Sequence, residues 1–242
     1  MKMKMIIIIL SVLSLAMFSC IALTDNKQVT LGKNTFCIPK KYNILDQTTG
    51  PVINIPGADT GSYGGSFQLS VDAPEVKESI AEYSTRHGSL YAALIVNVRQ
   101  ASAEQLERRL NNNRYAEVLQ LTRGVANDYE HAYVHYDEKH QFYHVNSWGE
   151  SPPPFILWEV LKIKPHKKAI IPGNLNDYHV ASCSGLGGID GYHDEVGTSC
   201  DYSLKIDGYL VRLHTTGNNL HLKEKITAFV KNQLVLWREN CE

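Results

Sequence analysis

Alternating hydrophobic and polar positions predict short strands in the first part of the chain. Residues 28–42 contain two of them, one around Val29 and one around Phe36. Pro39 ends the second, because proline lacks the backbone N–H that a strand interior needs. Residues 66–71 alternate as a strand with one buried face. The first part of the chain is therefore predicted to be rich in strands.

The next segment predicts a strand in the middle of a sheet, followed by a helix. Hydrophobic residues occupy both alternating sets of positions in residues 89–98, which suits a central strand. Ser102 is a suitable N-cap, and Gln105 stands at the capping-box position three residues later. Leu106 and Leu110 recur at helical spacing, so we expect a helix with one apolar face.

The second half of the chain predicts a hairpin followed by further strands. Residues 129–136 and 142–148 form the hairpin, and residues 155–163 form the next strand. Residues 202–213 have the pattern of two strands joined by a turn at Gly208. This half is therefore also predicted to be rich in strands up to its last segment.

A long amphipathic helix closes the chain. It is predicted for residues 220–238, and its apolar positions are Leu222, Ile226, Phe229, Val230, Leu234 and Trp237. A strand followed by a helix thus occurs in both halves, at residues 90–110 and 209–237. We expect an α+β fold of two lobes, with mainly antiparallel sheets and packed helices, divided into residues 24–121 and residues 122–242.

Residues 1–23 have the pattern of an export signal, with two lysines ahead of an uncharged apolar run. The favoured interpretation is lipidation at Cys20, which would make the protein a periplasmic lipoprotein of the outer membrane. Ordinary cleavage at Ala22 would instead release a soluble protein. An uncut run would just reach the roughly 20 apolar residues that cross a bilayer. All three fates place the protein in the cell envelope or outside it.

The charge balance argues against nucleic acid as a partner. The chain has 24 Lys and Arg residues and 25 Asp and Glu residues. Two of the lysines lie in the signal, so the 24 basic residues fall to 22, against the same 25 acidic ones. Binding to phosphates depends on concentrated Lys and Arg. The mature chain is long enough to bury a sizeable core, as one large domain or as two lobes.

Cysteine usage predicts two disulfides. Four cysteines remain once Cys20 is set aside, and an even count in an exported chain favours paired thiols. Of the three possible pairings, Cys183 with Cys200 is the natural local one, because the two flank a glycine-rich segment, and this leaves Cys37 with Cys241. The open alternative is that some thiols are free. Zinc ligation is disfavoured, because no two cysteines have the short spacing of a zinc knuckle.

Four of the ten histidines, His131, His135, His140 and His144, lie within the predicted hairpin. On a strand, His131 and His135 project from one face, and the return strand would bring His144 beside them. Zinc would need three such nitrogens around one point. The segment also lacks the His-Glu-x-x-His pattern of a helical zinc site. We therefore expect ordinary hairpin residues, with no resident metal or cofactor.

Residues 184–188, Ser-Gly-Leu-Gly-Gly, invite comparison with phosphate-binding loops and with a nucleophile elbow. The segment lacks the Gly-Lys-Ser/Thr sequence of a P-loop, and no Gly-x-Ser-x-Gly occurs in the chain. The even cysteine count leaves no spare thiol for Cys–His catalysis. We interpret the segment as a flexible loop between two bonded cysteines. We predict no catalytic residues and a protein that is not an enzyme.

Two loops carry residues suited to docking a protein partner. One is bounded by Cys183 and Cys200, and the other is the Pro- and Gly-rich run at residues 50–66. Acidic groups beside an aromatic residue suit a basic partner, since aromatic side chains anchor interfaces and charges steer the approach. The candidate contact residues are Tyr192, His193, Asp194 and Glu195 in the first loop and Asp59 and Tyr63 in the second.

A short motif near the start and the end of the chain resemble a known family. The motif is Phe-Cys-Ile-Pro-Lys-Lys-Tyr at residues 36–42, followed much later by Cys183, Cys200, the strand turn at residues 202–208 and a closing helix rich in Leu and Trp. These features resemble periplasmic immunity lipoproteins that neutralise type VI secretion effectors, particularly the two-lobed inhibitors of lipase effectors. The resemblance covers under half of the chain. It implies an α+β fold and stoichiometric occlusion of a toxin's active site, and it carries over no contact residue.

We therefore expect an envelope-located binding protein that blocks a secreted protein toxin, for which a lipase effector is one candidate, and that reaches the membrane through a lipid anchor at Cys20. A second interpretation is a metal-assisted periplasmic hydrolase that uses the hairpin from His131 to His144. A third is a structural or assembly lipoprotein with an endogenous partner. Loss of activity on chelation would identify the second. An envelope defect in the absence of any competitor would identify the third.

Overall fold

The structure of the protein is a computed structural model that describes residues 26–46, 65–85, 93–110, 133–146, 155–164, 178–186 and 197–241. Its strands are β1 (Asn26–Leu31), β2 (Asn34–Pro39), β3 (Asn43–Asp46), β4 (Ser66–Val71), β5 (Leu94–Gln100), β6 (Tyr133–Asp137), β7 (Phe142–Asn146), β8 (Phe155–Leu161), β9 (His179–Leu186), β10 (Thr198–Ile206) and β11 (Tyr209–Thr216). Its helices are α1 (Ala73–Ser79), α2 (Ala103–Leu110), the 3-10 helix η1 (Gly217–Leu222) and α3 (Lys223–Glu239). The described part of the chain is therefore mixed and dominated by strands.

Nine of these strands form one antiparallel sheet. Its order is β3-β4-β5-β11-β10-β9-β8-β7-β6, while β1 and β2 form a separate two-stranded sheet. A mixed fold with mainly antiparallel sheets is therefore confirmed. Because β5 pairs with β11, strands from both sides of the predicted lobe boundary share the large sheet. The boundary itself, at residues 121 and 122, lies outside the described residues, and the two lobes stay a prediction.

One face of the large sheet forms the main core with α1, α3 and the β1–β2 sheet. β5 lies between β4 and β11, in agreement with the inner position predicted for this segment. The predicted apolar face of the terminal helix is confirmed for α3, whose buried members are Ile226, Phe229, Val230, Leu234 and Trp237, while Leu222 is buried at the end of η1. Alternate strand residues such as Val96 and Leu213, which are cross-strand partners, belong to the same core cluster.

Two local predictions are confirmed in atomic detail. The Gln105 N–H donates to Ser102 Oγ at 3.1 Å, and the Ser102 N–H donates to Gln105 Oε1 at 2.8 Å, which completes the capping box of α2. Between β10 and β11, Asp207 and Gly208 have φ angles of 48° and 85°, as a tight two-residue hairpin turn requires. α2 packs on this hairpin through a small cluster of Leu106, Leu110 and Leu210.

The motif at residues 36–42 holds the beginning of the described chain to its end. Cys37 forms a disulfide with Cys241, just beyond α3, as predicted. The ring of Tyr42 lies edge-on to Trp237 of α3, with centroids 5.4 Å apart. We call residues 36–42 together with their contacts the clamp. The clamp joins β2 to the helix that covers the main core.

The remaining clamp contacts fix the motif to the sheet and to α1. Phe36 is buried, and its ring centroid lies 5.5 Å from that of Phe67 and 5.7 Å from that of Tyr209. The Tyr42 hydroxyl donates to Glu75 of α1. Burial, reinforced by the Glu75 carboxylate, raises the pKa of the Tyr42 hydroxyl far above its usual value, so this donor keeps its proton. The motif that carries the family resemblance is therefore built into the core.

The second predicted disulfide is also present, but its surroundings correct the interpretation of the adjacent segment as a loop. Cys183 on β9 and Cys200 on β10 are cross-strand partners. Residues 184–186 continue β9. A Cβ on Gly185 would stand 3.3 Å from the Trp158 ring, so glycine permits this close approach. Ser and Gly residues concealed the strand because composition alone favours a loop, whereas pairing and packing enforce the strand here.

The predicted export signal at residues 1–23, including Cys20, lies outside the described residues. Among the residues that the structure describes, no helix is long and apolar enough to cross a lipid bilayer. Lipidation, ordinary cleavage and an uncut anchor therefore all stay predictions.

Candidate functional site

The sheet face opposite the main core, here called the outer face, consists of the other set of alternating strand positions. One row across it runs from β6 to β5 through Val134, Val145, Glu159, Ser182, Asp201, His214 and Ile95. The row is apolar at its β6 end and polar from β8 to β11. Antiparallel sheets commonly pack one face on the core while the other face contacts solvent or a partner. In this row Val145 and Glu159 are buried, whereas Val134 is exposed.

A polar cluster occupies the middle of the outer face. Asp201 Oδ1 accepts a hydrogen bond from Arg212 Nε at 3.1 Å and lies 3.2 Å from His214 Nδ1. The Ser199 hydroxyl lies 2.9 Å from His214 Nε2. Burial alone would raise the pKa of the Asp201 carboxyl, but the hydrogen bonds from His214 and Arg212 outweigh it and lower that pKa. The cluster therefore links β10 to β11 through a charged carboxylate.

Ser199, His214 and Asp201 are the residue types of a hydrolytic triad, but their geometry departs from it. In a triad the serine hydroxyl aligns with one imidazole nitrogen while the carboxylate binds the other. Here the Ser199 Oγ lies 2.9 Å from Nε2 and also 3.3 Å from Nδ1 of His214. An oxygen almost equally close to both nitrogens lies beside the ring rather than along one lone pair. The arrangement holds the two strands together without presenting an aligned nucleophile.

A second polar group is buried between β8 and β9. The Glu159 carboxylate is 5 % exposed, and its Oε2 lies 2.6 Å from His179 Nε2. The Ser182 hydroxyl donates to the same oxygen at 2.7 Å. Because serine and histidine both contact the carboxylate, histidine does not stand between the other two as a general base would. These bonds satisfy a buried carboxylate next to the strand irregularity at Val160 and Leu161.

The β6 end of the outer face exposes apolar and aromatic side chains. Val134 is 36 %, Tyr136 43 % and Leu157 56 % exposed. The ring of Tyr143, half-buried on β7, lies 4.7 Å from that of Tyr136, measured between centroids. We call Val134, Tyr136 and Tyr143 the aromatic patch; Leu157 lies on the same face, four residues along β8 from Leu161, the strand partner of Tyr143. Neighbouring exposed apolar groups indicate an interaction surface, and tyrosine is enriched in protein interfaces.

The structure pairs only part of the predicted histidine group. His135 and His144 are cross-strand partners with ring centroids 6.4 Å apart, and both project towards the core side of the sheet. His140 lies in the turn, where its Nδ1 is 2.7 Å from Asp137 Oδ2 and its ring stacks on His221 of η1. His131 lies outside the described residues. Within the described ranges, no three His, Cys, Asp or Glu side chains form a group that could hold a metal ion.

The predicted partner-binding residues lie outside the described part of the chain. They are Asp59, Tyr63, Tyr192, His193, Asp194 and Glu195. Their docking role stays a prediction. The strands that lead into residues 187–196 are nevertheless described, and the Cys183–Cys200 disulfide joins them two residue pairs before the last pair, Gly185 with Thr198. This bond restrains the two ends of that segment.

Sequence reasoning missed the aromatic patch, although it found the strands that carry it. The alternation in residues 133–137 places Val134 and Tyr136 on one face, and this signal is visible in the chain. The position of Leu157 on the same face depends on the pairing of β8 with its neighbours, which lies beyond the local pattern. A predicted hairpin register would have identified the Tyr136–Tyr143 contact but not the third strand.

Comparison of the chain with family models, with curated proteins and with solved structures gives no match. Function is therefore argued from the chain's own residues. The resemblance to immunity lipoproteins stays a prediction, based on the motif at residues 36–42 and the closing segment.

Proposed function

We propose that the protein is an envelope-located binding protein that neutralises a secreted protein toxin by covering the toxin's active site in a one-to-one complex. The resemblance to immunity proteins of type VI secretion effectors motivates the choice of partner. In this proposal the protein acts through buried area and complementary charge, without turnover. A lipid on Cys20 would hold it at the periplasmic face of the outer membrane, where an incoming toxin arrives.

The aromatic patch is the observation that carries this proposal. Tyr136 exposes 43 % of its surface beside Val134 and Tyr143, and Leu157, farther along the same side of the sheet, exposes 56 %. Aromatic anchors surrounded by polar groups account for most of the binding energy in typical interfaces. The polar cluster around Asp201 supplies such surroundings farther along the same face. The outer face thus combines apolar anchors with charges that can orient a partner.

The clamp and the disulfides stabilise the sheet, which supports binding by a preorganised surface. The clamp fixes α3 across the main core, and the Cys183–Cys200 bond joins two neighbouring strands of the large sheet. A preorganised surface loses less conformational entropy on binding, so a larger part of the contact energy becomes affinity. Two disulfides also suit an exported protein, since oxidising compartments preserve them. This agrees with the export signal predicted at residues 1–23.

Affinity capture with residues 21–242 would test the proposal. Secreted fractions of the source strain and of its competitors would be passed over the immobilised protein, and bound proteins identified by mass spectrometry. We expect a secreted enzyme at one-to-one stoichiometry whose activity falls as the protein is added. Recovery of an enzyme that remains fully active in the complex would contradict occlusion. Recovery of no secreted enzyme would contradict the choice of partner.

The predicted anchor needs its own test in cells. Cys20→Ser removes the acceptor thiol, so the protein should leave the membrane fraction and appear in the soluble periplasmic fraction. Wild-type protein in the same fractionation is the control. Retention of the variant in membranes would contradict lipidation and favour an uncut N-terminal anchor.

A further inference from the structure

The two edges of the large sheet differ in how they are protected. Within the residues that the structure describes, β3 and β6 are the outermost strands. At β3, Lys27 of β1 donates from its Nζ to the carbonyl oxygen of Ile44 at 3.4 Å. A lysine that occupies an edge carbonyl is one way in which proteins prevent strand addition. β6 contains neither lysine nor proline in Tyr133–Asp137.

The hairpin geometry decides which backbone groups of β6 point away from β7. The pair that closes the turn is Asp137 with Phe142, and hydrogen-bonded pairs then alternate with non-bonded pairs along the hairpin. Val134 and Tyr136 are therefore in non-bonded pairs, where side chains approach closely. The rings of Tyr136 and Tyr143 agree, with centroids 4.7 Å apart against 6.4 Å for His135 and His144. The N–H and C=O groups of Val134 and Tyr136 thus face the outer edge.

The same two residues expose their side chains on the outer face. Val134 is 36 % and Tyr136 43 % exposed, and both belong to the aromatic patch. A strand added beside β6 would form backbone hydrogen bonds with Val134 and Tyr136 and place alternate side chains against theirs. The edge and the aromatic patch therefore form one continuous surface.

We propose that this surface receives an extended segment of the toxin, which adds to β6 as a tenth strand of the large sheet. The segment carries β-branched or aromatic side chains at alternate positions, where they contact Val134 and Tyr136, and it has no proline at the bonded positions. This inference rests on the proposed function. A second copy of the chain fits less well, because a five-residue strand buries far less than the roughly 1,200–2,000 Å² of a stable interface. A toxin would add contacts over the rest of the aromatic patch.

Two substitutions at Val134 distinguish the contribution of its backbone N–H to binding from the contribution of its side chain. Val134→Pro removes the outward N–H, whereas Val134→Ala keeps it and removes only side-chain bulk. The probe is the secreted enzyme recovered by the wild-type protein. We expect Val134→Pro to bind it about tenfold or more weakly than Val134→Ala, which is the scale of one lost backbone hydrogen bond plus blocked strand addition. Equal affinity of the two variants would overturn strand addition.

Hydrogen exchange on the wild-type complex gives a readout that does not depend on how well the proline variant folds. The amides of Val134 and Tyr136 should exchange more slowly in the complex than in the free protein, while those of β3 at the opposite edge keep their rates. Unchanged exchange at Val134 and Tyr136 in a complex that inhibits the enzyme would overturn strand addition and leave the proposed function standing. A wild-type protein that binds no secreted enzyme would overturn both.

Discussion

The clamp contacts the large sheet at β4 and β11, whereas the aromatic patch lies at its β6 edge, and the two use aromatic residues in opposite ways. Phe36 in the clamp is 2 % exposed and contacts two other rings, whereas Tyr136 in the patch is 43 % exposed. The clamp carries a disulfide between β2 and the C-terminal end of the chain. In the hairpin that carries Tyr136, a turn stabilised by Asp137 joins β6 to β7.

This difference distinguishes the residues that stabilise the fold from those that a partner would contact. Residues 36–42 carry the family resemblance, and their side chains hold the sheet, α1 and α3 together. Side chains buried in a core are held by packing, whereas exposed apolar side chains remain accessible to a partner. The residues that carry the resemblance therefore stabilise the fold. Contact residues for a partner are to be sought at the β6 edge of the sheet.

Breaking the clamp disulfide should have the largest effect on stability. The Cys37–Cys241 bond closes a loop of 204 residues, and the Cys183–Cys200 bond one of 17. In the chain-entropy model, these loops correspond to roughly 5 and roughly 3 kcal/mol of restriction of the unfolded state. The Cys37→Ser, Cys241→Ser double variant should therefore unfold at lower urea concentration than the Cys183→Ser, Cys200→Ser double variant. Equal losses, or none, would contradict this ranking.

Truncating Phe36 should have the next largest effect. Phe36→Ala removes a buried ring beside Phe67 and Tyr209 and leaves a cavity, so the free energy of unfolding should fall by about 3–5 kcal/mol. Urea denaturation measures the loss. Phe36→Leu is the matched control, because it retains much of the apolar volume and should lose markedly less. A loss under 1 kcal/mol for the alanine variant would show that the clamp does not stabilise the core in this way.

Local patterns in the sequence predicted most of the strands, the capping box and the apolar face of α3. Each depends on neighbours within a few residues, as in the bonds between Ser102 and Gln105. Residues 184–186 escaped prediction because their strand depends on pairing with β10 and on the nearby Trp158 ring. The joining of nine strands into one sheet also depends on pairing between distant segments, such as β5 with β11. The placement of Leu157 on the same face as Tyr136 depends on the register of three strands for the same reason.

The contact between the start of α3 and β9 predicts how the stability of the protein changes with pH. Lys223 begins α3, and its Nζ donates to the carbonyl oxygens of Val180 at 2.8 Å and His179 at 3.3 Å. Burial, reinforced by the charge of Lys162, lowers the pKa of the Lys223 ammonium from 10.5 to about 8. The native protein thus releases this proton between about pH 8 and 10.5, while the unfolded chain still holds it.

Lys223 should therefore contribute more favourably to stability as pH rises through this window, because the unfolded state binds more protons there than the native state. Lys223→Met removes the titration, and titration of other groups largely cancels when the two proteins are compared. The unfolding free energy of wild type minus that of the variant should increase by up to about 3 kcal/mol between pH 7 and 10.5. Urea titrations at several pH values measure this difference. A difference that stays flat or falls with pH would contradict the lowered pKa.

Substitution in the aromatic patch should have the smallest effect on folding and a large effect on binding. Tyr136→Ala removes a ring that is 43 % exposed, so the unfolding free energy should change by about 1 kcal/mol or less. If Tyr136 anchors a partner, the same change should weaken binding of the captured enzyme by about 2 kcal/mol, or roughly thirtyfold. Exposed Leu45 on the opposite edge strand is the matched control, since Leu45→Ala removes a side chain that is 55 % exposed. Equal loss of affinity in both variants, or none in either, would remove the functional distinction between the two ends of the sheet.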